Sequence, residues 1–341
     1  MNQPGYLFTA STPPMPEHPT LLVSARSFGK VVQEPLQRLR DTGLDIREFR
    51  EGPDLDEAGL RAALRVVDAW IVSFHPVTAE LLKDAPKLRV IVKHGVGLDN
   101  IDMDAATARG IQVRTAPGGT EHAVPEHTLG LLFALARRLT EANEHVKSGQ
   151  WGGRFVGTGI HGRTLGIIGL GRIGGNLATK VSGLGMRVLG HDPVAGELPP
   201  SLGHVERCDW ETLLAESDFI AICAPLTEAT RHLLGKEAFA RVKPGVLLVN
   251  AARGGIVDED ALVEALEDGR VGGYGADVVA EEPPRNPRLT QRANVICTPH
   301  IASYSRDSLA LMGHRAADGV LHGLAAERGE FLINPAVLGP P

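Results

Sequence analysis

The sequence predicts an α/β protein with two doubly wound parallel sheets, and three observations support this expectation. Its 341 residues correspond to roughly two domains of about 150 residues each. Short apolar runs alternate with amphipathic stretches of helical spacing, as strands and crossover helices do in a parallel sheet. A Thr-Ala-Pro-Gly-Gly segment at 115–119 suits neither a strand nor a helix, and it interrupts this alternation once. The break divides the chain into a first unit of about five strands and a second of about six.

The apolar runs of the first unit predict its strands. Residues 1–19 contain five prolines and are expected to form an extended tail outside the first core. Residues 31–40 place Val32, Leu36 and Leu39 on one face of a helix. The strands of this unit are expected at 21–23, 45–49, 69–72, 89–92 and 111–113.

The second unit begins after the break with a long apolar helix, which the spacing predicts over 124–146. Pro125 is expected in the first turn of that helix, where its missing N–H is tolerated. The acids at 258–260 are expected to begin a later helix. From Ser305 the pattern predicts a helix and a short ending. The strands of the second unit are expected at 165–168, 187–190, 219–223, 246–249, 272–278 and 295–297.

Composition disfavours several classes of function. With 43% hydrophobic and 22% charged residues, the chain can bury a core and is neither disordered nor collagen-like. Few aromatic residues and a net charge of −6 disfavour a nucleic-acid partner. No run approaches about 18 apolar residues and no basic start precedes an apolar segment, so we expect neither a membrane span nor a signal peptide.

The three cysteines, Cys208, Cys223 and Cys297, are too far apart for a zinc motif or a disulfide framework. We therefore expect no metal site and a reducing, cytoplasmic location. Cys223 and Cys297 each end an apolar run, so both are expected to be small buried core residues.

A glycine-rich motif opens the second unit. Gly169, Gly171 and Gly174 form G-x-G-x-x-G directly after an apolar strand and before a helix, and Asp192 ends the next strand about 20 residues further on. The first glycine permits a tight turn, the second lets the backbone approach a pyrophosphate, and the third lets helix and strand pack closely. Asp192 would bind ribose hydroxyls and repel a 2′-phosphate. The motif predicts a Rossmann domain that binds NAD rather than NADP.

Three polar side chains follow later strands of the same unit. Arg253, Glu282 and His300 lie on separate loops, each directly after an expected strand. Because the carboxyl ends of parallel strands share one edge, the sheet can bring these loops together. An arginine can grip a carboxylate at two points and polarise the neighbouring carbonyl. A histidine exchanges protons near neutral pH, and an adjacent glutamate would fix its ring. These groups suit hydride transfer to a 2-oxo acid.

Seven motifs in order give the chain a close resemblance to the D-isomer-specific 2-hydroxyacid dehydrogenases, the family of phosphoglycerate dehydrogenases and hydroxypyruvate or glyoxylate reductases. The motifs are GVGLDNID (95–102), VPEHTLGLLFALAR (124–137), TLGIIGLGRIG (164–174), HDP (191–193), NAARGGIVDEDAL (250–262), ADVVAEEP (276–283) and TPHIAS (298–303). The resemblance implies an NAD-dependent dehydrogenase in which hydride passes between NAD(H) and a D-2-hydroxy acid or 2-oxo acid.

The resemblance also implies a role for each matching residue. Arg253 resembles the catalytic arginine that binds substrate, Glu282 the glutamate paired with histidine, and His300 the acid/base. Val96 and Gly97 match a loop whose backbone N–H groups hold the substrate carboxylate. The positions that match cofactor contacts are Arg172 and Ile173 at the pyrophosphate, Asp192 at the ribose, Ala251 and Ala252 beside the nicotinamide, Asp277 near the carboxamide, and Thr230 in a further lining loop.

Family members are built from a discontinuous substrate domain around an inserted cofactor domain. The resemblance therefore implies a flavodoxin-like substrate domain from residues 1–117 and 305–341, and a Rossmann NAD-binding domain from residues 118–304. It further implies a homodimer formed through the NAD-binding domain, with the long helix from Val124 at the interface. The expected partner is a small 2-oxo or 2-hydroxy acid, with neither nucleic acid nor membrane.

The substrate itself stays open. Phosphoglycerate dehydrogenases of this family grip the phosphate with an arginine after the third strand, whereas this chain has Ile-Val-Ser-Phe-His-Pro-Val at 71–77. A smaller 2-oxo acid is therefore favoured, although Phe74 and His75 could suit a larger apolar or anionic side chain. Lys93 could add positive charge to the pocket, and His94 and His127 are weaker candidates for its wall.

Two alternative functions are also open. Some relatives are corepressors, so a non-enzymatic NAD-sensing scaffold would retain the same motifs. A family member that uses formate or phosphite as donor is the other alternative, for which the residues around Lys93 and Phe74 would be decisive.

Overall fold

The computed structural model describes residues 18–52 and 55–339, so the expected N-terminal tail lies almost entirely outside the described residues. The chain divides into two compact units. Unit 1 combines Met1–Gly119 with Ser305–Pro341, and unit 2 is the contiguous segment Thr120–Tyr304.

Two parallel sheets confirm the predicted fold class. The strands are β1 (Thr20–Val23), β2 (Asp45–Glu48), β3 (Ala69–Val72), β4 (Val90–Lys93), β5 (Gln112–Thr115), β6 (Thr164–Ile168), β7 (Arg187–His191), β8 (Val205–Arg207), β9 (Phe219–Ile222), β10 (Val246–Asn250), β11 (Val271–Ala276) and β12 (Val295–Cys297). Unit 1 has the order β2-β1-β3-β4-β5, and unit 2 has the order β12-β11-β10-β9-β6-β7-β8. All neighbouring strands pair in parallel.

Helices connect these strands. They are α1 (Glu34–Asp41), α2 (Glu57–Leu64), α3 (Ala79–Lys83), α4 (Met103–Ala108), α5 (Thr120–Ala136), α6 (Leu139–Lys147), α7 (Arg172–Val181), α8 (Trp210–Glu216), α9 (Lys236–Phe239), α10 (Glu259–Glu267), α11 (Pro287–Thr290) and α12 (Arg306–Leu324). As the acids at 258–260 predicted, Asp258 is the N-cap of α10 and accepts hydrogen bonds from the backbone N–H groups of Asp260 and Ala261.

Each sheet is covered on both faces, which explains why its strands are almost wholly apolar. In unit 1 alternate residues of one strand enter different cores: Trp70 and Val72 join one cluster, whereas Ala69 and Ile71 join the other. Unit 2 repeats this arrangement, with Leu165 and Ile167 in one cluster and Ile168 in the other. Both faces of each sheet therefore bury apolar side chains, which leaves the loops at the strand ends as the accessible parts.

The predicted helix over 124–146 is wrong in its bounds. It consists of α5 and α6, separated at Arg138, whose backbone is left-handed with φ 52°. The Thr158 N–H donates to the Ala136 carbonyl at 2.7 Å, so a distant segment satisfies the end of α5. Because α5 starts at Thr120, Pro125 lies beyond its first turn.

Three smaller expectations also need correction. Unit 2 has seven strands rather than six, because β8 is a three-residue strand at the sheet edge with two exposed charged residues and no apolar run. The first helix begins at Glu34 rather than at residue 31. Cys297 is exposed because it ends the outermost strand of its sheet. Cys223 is only partly buried.

Candidate active site

The glycine-rich turn connects β6 to α7 in the form that the motif predicts. Gly169 has φ +91°, and a Cβ there would lie 2.8 Å from the Ala224 backbone nitrogen. A Cβ on Gly174 would lie 1.9 Å from the Gly169 carbonyl oxygen, so only glycine permits this approach of helix and strand. Gly171 faces open space and is the N-cap of α7, with no side chain capping the helix. The turn therefore presents the helix N-terminus to a ligand, and a pyrophosphate fits it.

Asp192 lies where a ribose acid is expected, at the end of the neighbouring strand. One carboxylate oxygen accepts the Leu170 N–H at 2.8 Å, and the other accepts those of Val194 and Ala195 at 3.1 and 3.0 Å. These bonds tie the acid to the glycine-rich turn itself. Each oxygen accepts at two positions, so the carboxylate keeps acceptor capacity for a ribose hydroxyl.

The other expected cofactor residues lie on the same carboxyl edge of the unit 2 sheet. Arg172 and Ile173 form the first turn of α7. The Thr230 hydroxyl donates to the Pro225 carbonyl at 2.7 Å and closes the loop after β9. Ala251 and Ala252 follow β10, and the Asn250 side chain accepts the Ala252 N–H at 3.0 Å. These positions surround the strand ends that adjoin the glycine-rich turn.

Arg253 extends from a loop fixed on both sides. The Asn250 side-chain amide donates to the Arg253 carbonyl at 2.9 Å, and the Arg253 guanidinium donates to the Ala252 carbonyl at 2.7 Å. The following Gly254 packs on the loop after β11, since a Cβ there would lie 2.0 Å from the Val279 carbonyl carbon. That second loop leads to Glu282, so the two loops are in direct contact.

His300 and Glu282 form a hydrogen-bonded pair, as the sequence predicts. His300 Nδ1 lies 2.9 Å from Glu282 Oε2, and both side chains are partly exposed. A carboxylate accepts only, so Nδ1 carries the shared proton. Nε2 is the ring nitrogen that does not bind Glu282, and a histidine can exchange a proton through this nitrogen near neutral pH. The neighbouring Glu281 instead pairs with Arg285 at 3.0 Å, which separates the roles of the two adjacent acids.

Asp277 has a structural role that the sequence did not predict. Its carboxylate accepts the Thr298 hydroxyl at 2.6 Å and the backbone N–H groups of Ile301 and Ala302 at 2.8 and 2.6 Å. These bonds bracket His300, whose backbone is left-handed with φ 56°. Such a conformation is uncommon for a residue with a side chain and needs outside support. Asp277 therefore holds the loop that carries His300 in place.

His127 reaches this loop from α5. Its Nε2 lies 2.9 Å from the Thr298 hydroxyl oxygen, whose proton is given to Asp277. His127 must therefore donate, which fixes its proton on Nε2. The sequence signal that could have indicated this support is the EHT segment within the α5 motif.

The expected substrate residues of unit 1 follow β4. Val96 is exposed and Gly97 is partly exposed in the loop after that strand. Lys93 is buried rather than presented to solvent, and its ammonium donates to the Ser73 carbonyl and to Asn100 Oδ1. Asn100 in turn donates to the Ser73 and His75 carbonyls at 3.1 and 2.7 Å.

His94 is also buried. Its Nδ1 lies 3.4 Å from the Ser27 hydroxyl, while its Nε2 has no hydrogen-bond partner in the described part of the chain. Burial, and then the charges of Lys93 and Arg50, lower the pKa of His94 from 6.5 to about 4. The ring is therefore neutral near pH 7.

The described residues contain no group of three or more His, Cys, Asp or Glu side chains arranged to hold a metal ion. Among them, no helix is both long and apolar enough to cross a bilayer.

The fold and the glycine-rich turn define a dinucleotide-binding α/β protein. Residues 129–302 match the family model described as "D-isomer specific 2-hydroxyacid dehydrogenase, NAD binding domain". This match identifies NAD as the cofactor, and the residues of the turn fit it. The chain belongs to the D-isomer-specific 2-hydroxyacid dehydrogenase family.

Individual relatives agree with this assignment. The chain is 41% identical over 301 residues to a D-3-phosphoglycerate dehydrogenase of Mycobacterium leprae, covering 87% of this chain and 56% of that protein. It is 39% identical over 290 residues to a glyoxylate reductase of Thermococcus litoralis, covering 82% of this chain and 87% of the reductase. It thus spans a little over half the length of the phosphoglycerate dehydrogenase relatives.

A solved structure extends the comparison to the whole fold. A protein of Thermus thermophilus superposes with a TM-score of 0.84 at 34% identity, covering 92% of this chain and 99% of that chain. This likeness covers both parallel sheets.

Proposed function

We propose that this protein is an NAD-dependent dehydrogenase that transfers a hydride between NAD(H) and a D-2-hydroxy acid or 2-oxo acid. The observation that carries the proposal is the His300–Glu282 pair, at 2.9 Å, on the loops that follow two neighbouring strands. Arg253 follows the next strand of the same sheet. NAD(H) supplies the hydride acceptor or donor when bound.

The roles of the side chains follow from their chemistry. Arg253 binds the substrate carboxylate with its planar guanidinium, and its charge polarises the adjacent carbonyl. His300 Nε2 gives a proton to the carbonyl oxygen of a 2-oxo acid during reduction, and removes it from the hydroxyl during oxidation. Glu282 accepts from Nδ1, so it fixes the ring and stabilises the charged imidazolium. Val96 and Gly97 offer backbone N–H groups to the carboxylate.

We propose that unit 2 binds the cofactor through the loops at the carboxyl ends of its strands. Gly169, Gly171, Arg172, Ile173 and Gly174 would hold the pyrophosphate, and Asp192 the adenosine ribose. Ala251, Ala252 and Asp277 would line the nicotinamide side, with Asp277 acting mainly through the His300 loop, and Thr230 would belong to a further lining loop. In this proposal unit 2 is the NAD-binding domain and unit 1 the substrate domain.

The decisive experiment measures NADH oxidation by the purified protein against a panel of 2-oxo acids. We expect turnover of at least one 2-oxo acid, and a loss of about 10²–10⁴-fold in His300→Gln, because positioned acid–base groups contribute this much. His314→Gln, at an exposed position of α12, is the matched control. Turnover of no acid in the panel would contradict the proposal and favour either the cofactor-sensing scaffold or the use of formate or phosphite.

We also propose a homodimer formed through unit 2. Its support is a run of apolar side chains exposed between residues 139 and 156, including Trp151 at 90% and Val156 at 79% exposure. Light scattering that gives the mass of a single chain would contradict it.

A cytoplasmic location is a further proposal, supported by the three free thiols and testable by cell fractionation.

A further inference from the structure

Unit 1 contains a loop whose backbone amides are already bound by a buried carboxylate. Ser73, Phe74 and His75, here called the β3 loop, directly follow β3. Glu51 follows β2, is only 7% exposed, and extends across the end of β1 to this loop. One of its oxygens accepts the Ser73 N–H at 2.7 Å, and the other accepts the Phe74 N–H at 2.7 Å.

The carboxylate is itself held in place. The Ser24 hydroxyl donates to Glu51 at 3.0 Å, and the Trp70 indole N–H donates to the same Ser24 oxygen at 2.9 Å. The Glu51 backbone N–H donates to the Ser24 carbonyl at 2.8 Å. Glu51 is therefore fixed by three strand ends, and it cannot move away from the β3 loop without breaking several bonds.

This loop lies where a parallel sheet binds ligands. The strand order β2-β1-β3-β4-β5 reverses direction between β1 and β3, and ligands of open α/β sheets bind beyond the carboxyl ends at that point. Backbone amides beside such a crevice ordinarily bind anionic groups. Here Glu51 occupies the two amides and places a negative charge directly behind them.

The cations nearby do not reverse this polarity. Lys93 donates to the Ser73 carbonyl and to Asn100 Oδ1, and its ammonium lies 5.5 Å from the Phe74 ring centroid, so the loop itself already binds this charge. Arg50 pairs with Glu48 at 2.6 Å and donates to the Ala25 and Phe28 carbonyls. His94 is neutral because burial lowers its pKa to about 4. Arg26 is exposed, and its Nε donates to the Glu51 carbonyl at 3.1 Å.

We propose that Glu51 is a specificity-determining residue that makes the protein favour a 2-oxo acid with an uncharged substituent over one with an anionic substituent. The inference rests on the proposed dehydrogenase function and adds the substrate's side-chain class. Glu51 acts by occupying the amides that an anion would need and by repelling its charge.

The test uses hydroxypyruvate and its 3-phosphate ester, which differ only by the phosphate. We expect wild-type kcat/KM to favour hydroxypyruvate. Glu51→Gln removes the charge and weakens the hold on one amide, so the ratio of kcat/KM for the ester to that for hydroxypyruvate should rise about tenfold, the order expected for a nearby unit charge. Glu51→Asp keeps the charge and should keep the low ratio even if both activities fall.

Glu80→Gln is the matched control, because it removes one negative charge from the exposed start of α3 just beyond the same loop. Its ratio should equal that of the wild type. A purely structural role for Glu51 would lower both activities together and leave the ratio unchanged, which overturns the proposal. A wild type that prefers the phosphate ester also overturns it, and Arg26→Gln would then identify the cation responsible.

A measurement on the wild type alone covers the case in which Glu51→Gln does not fold. In the wild type, kcat/KM should be lower for oxaloacetate than for 4-methyl-2-oxopentanoate, which replaces the carboxylate by an uncharged group of similar shape. A higher kcat/KM for oxaloacetate would contradict the proposal. If no 2-oxo acid is reduced at all, the proposed function fails rather than the role of Glu51 within it.

Discussion

The glycine-rich turn of unit 2 and the β3 loop of unit 1 both adjoin the point where their parallel sheet changes direction, one after the first strand and one after the strand beside it, but their amides suit opposite charges. Each follows a strand at the point where its parallel sheet changes direction. The unit 2 turn exposes the N-terminus of α7, with Gly171 open to space. The β3 loop gives two of its amides to a buried carboxylate. Position in a sheet therefore indicates where a ligand binds, whereas the bonding of the local amides decides its charge.

The largest effect should come from replacing Arg253 in unit 2. It would show that binding of the substrate carboxylate depends on this guanidinium. Arg253→Lys keeps the charge but loses the two-point geometry. We expect a loss of about 2–4 kcal/mol in transition-state binding, measured from kcat/KM, with the affinity for NAD nearly unchanged. Arg285→Lys, on an exposed arginine of the same unit, is the control. Normal kcat/KM in Arg253→Lys would remove this residue from the site.

The buried His94 of unit 1 should make the stability of the protein sensitive to acid. Because the pKa of His94 falls from 6.5 to about 4 on folding, protonation favours the unfolded chain. Its effect on stability is absent above about pH 6.5 and grows as the pH falls towards about 4, reaching about 3 kcal/mol.

His94→Leu should remove that dependence. The free energy of unfolding from urea titrations would then vary less with pH between neutrality and about pH 4. The exposed His122→Leu should keep the wild-type slope. An unchanged slope in His94→Leu would mean that the ring does not stay neutral in the folded protein.

The smallest effect concerns the choice of cofactor at the unit 2 turn. Asp192 repels a 2′-phosphate, so the wild type should prefer NADH to NADPH. Asp192→Ala should reduce that preference by about tenfold, as loss of one nearby charge implies. Comparable use of both cofactors by the wild type would contradict the ribose assignment.

The sequence identified the parts of the site whose signal is local. Gly169 and Gly174 are both required by one turn. Glu282 and His300 each lie in a short motif directly after a strand, so each is visible in its own stretch of sequence. It missed what depends on distant contacts. The left-handed Arg138 divides α5 from α6, and Thr158, some 20 residues away, satisfies the end of α5.

The roles of Glu51 and Asp277 were missed for a similar reason. The Glu51 carboxylate binds amides two strands away, and neither residue type nor spacing indicates this. Asp277 lies in a motif and matched a cofactor position, but its three accepted hydrogen bonds go to the His300 loop. Which amides a buried carboxylate binds depends on contacts between distant segments, which a motif does not specify.

Unit 1 is built from two separate segments of the chain, and this affects the order in which the protein folds during synthesis. Helix α12 packs on the unit 1 sheet, Gln112 donates to the Gly323 carbonyl at 2.9 Å, and Thr115 donates to the Phe331 carbonyl at 3.0 Å. Unit 2 is one unbroken stretch, so all of it is synthesised before α12. Domains fold as units during synthesis. We expect unit 2 to fold without waiting for any later segment, whereas one apolar face of the unit 1 sheet stays partly uncovered until residues 306–324 are available.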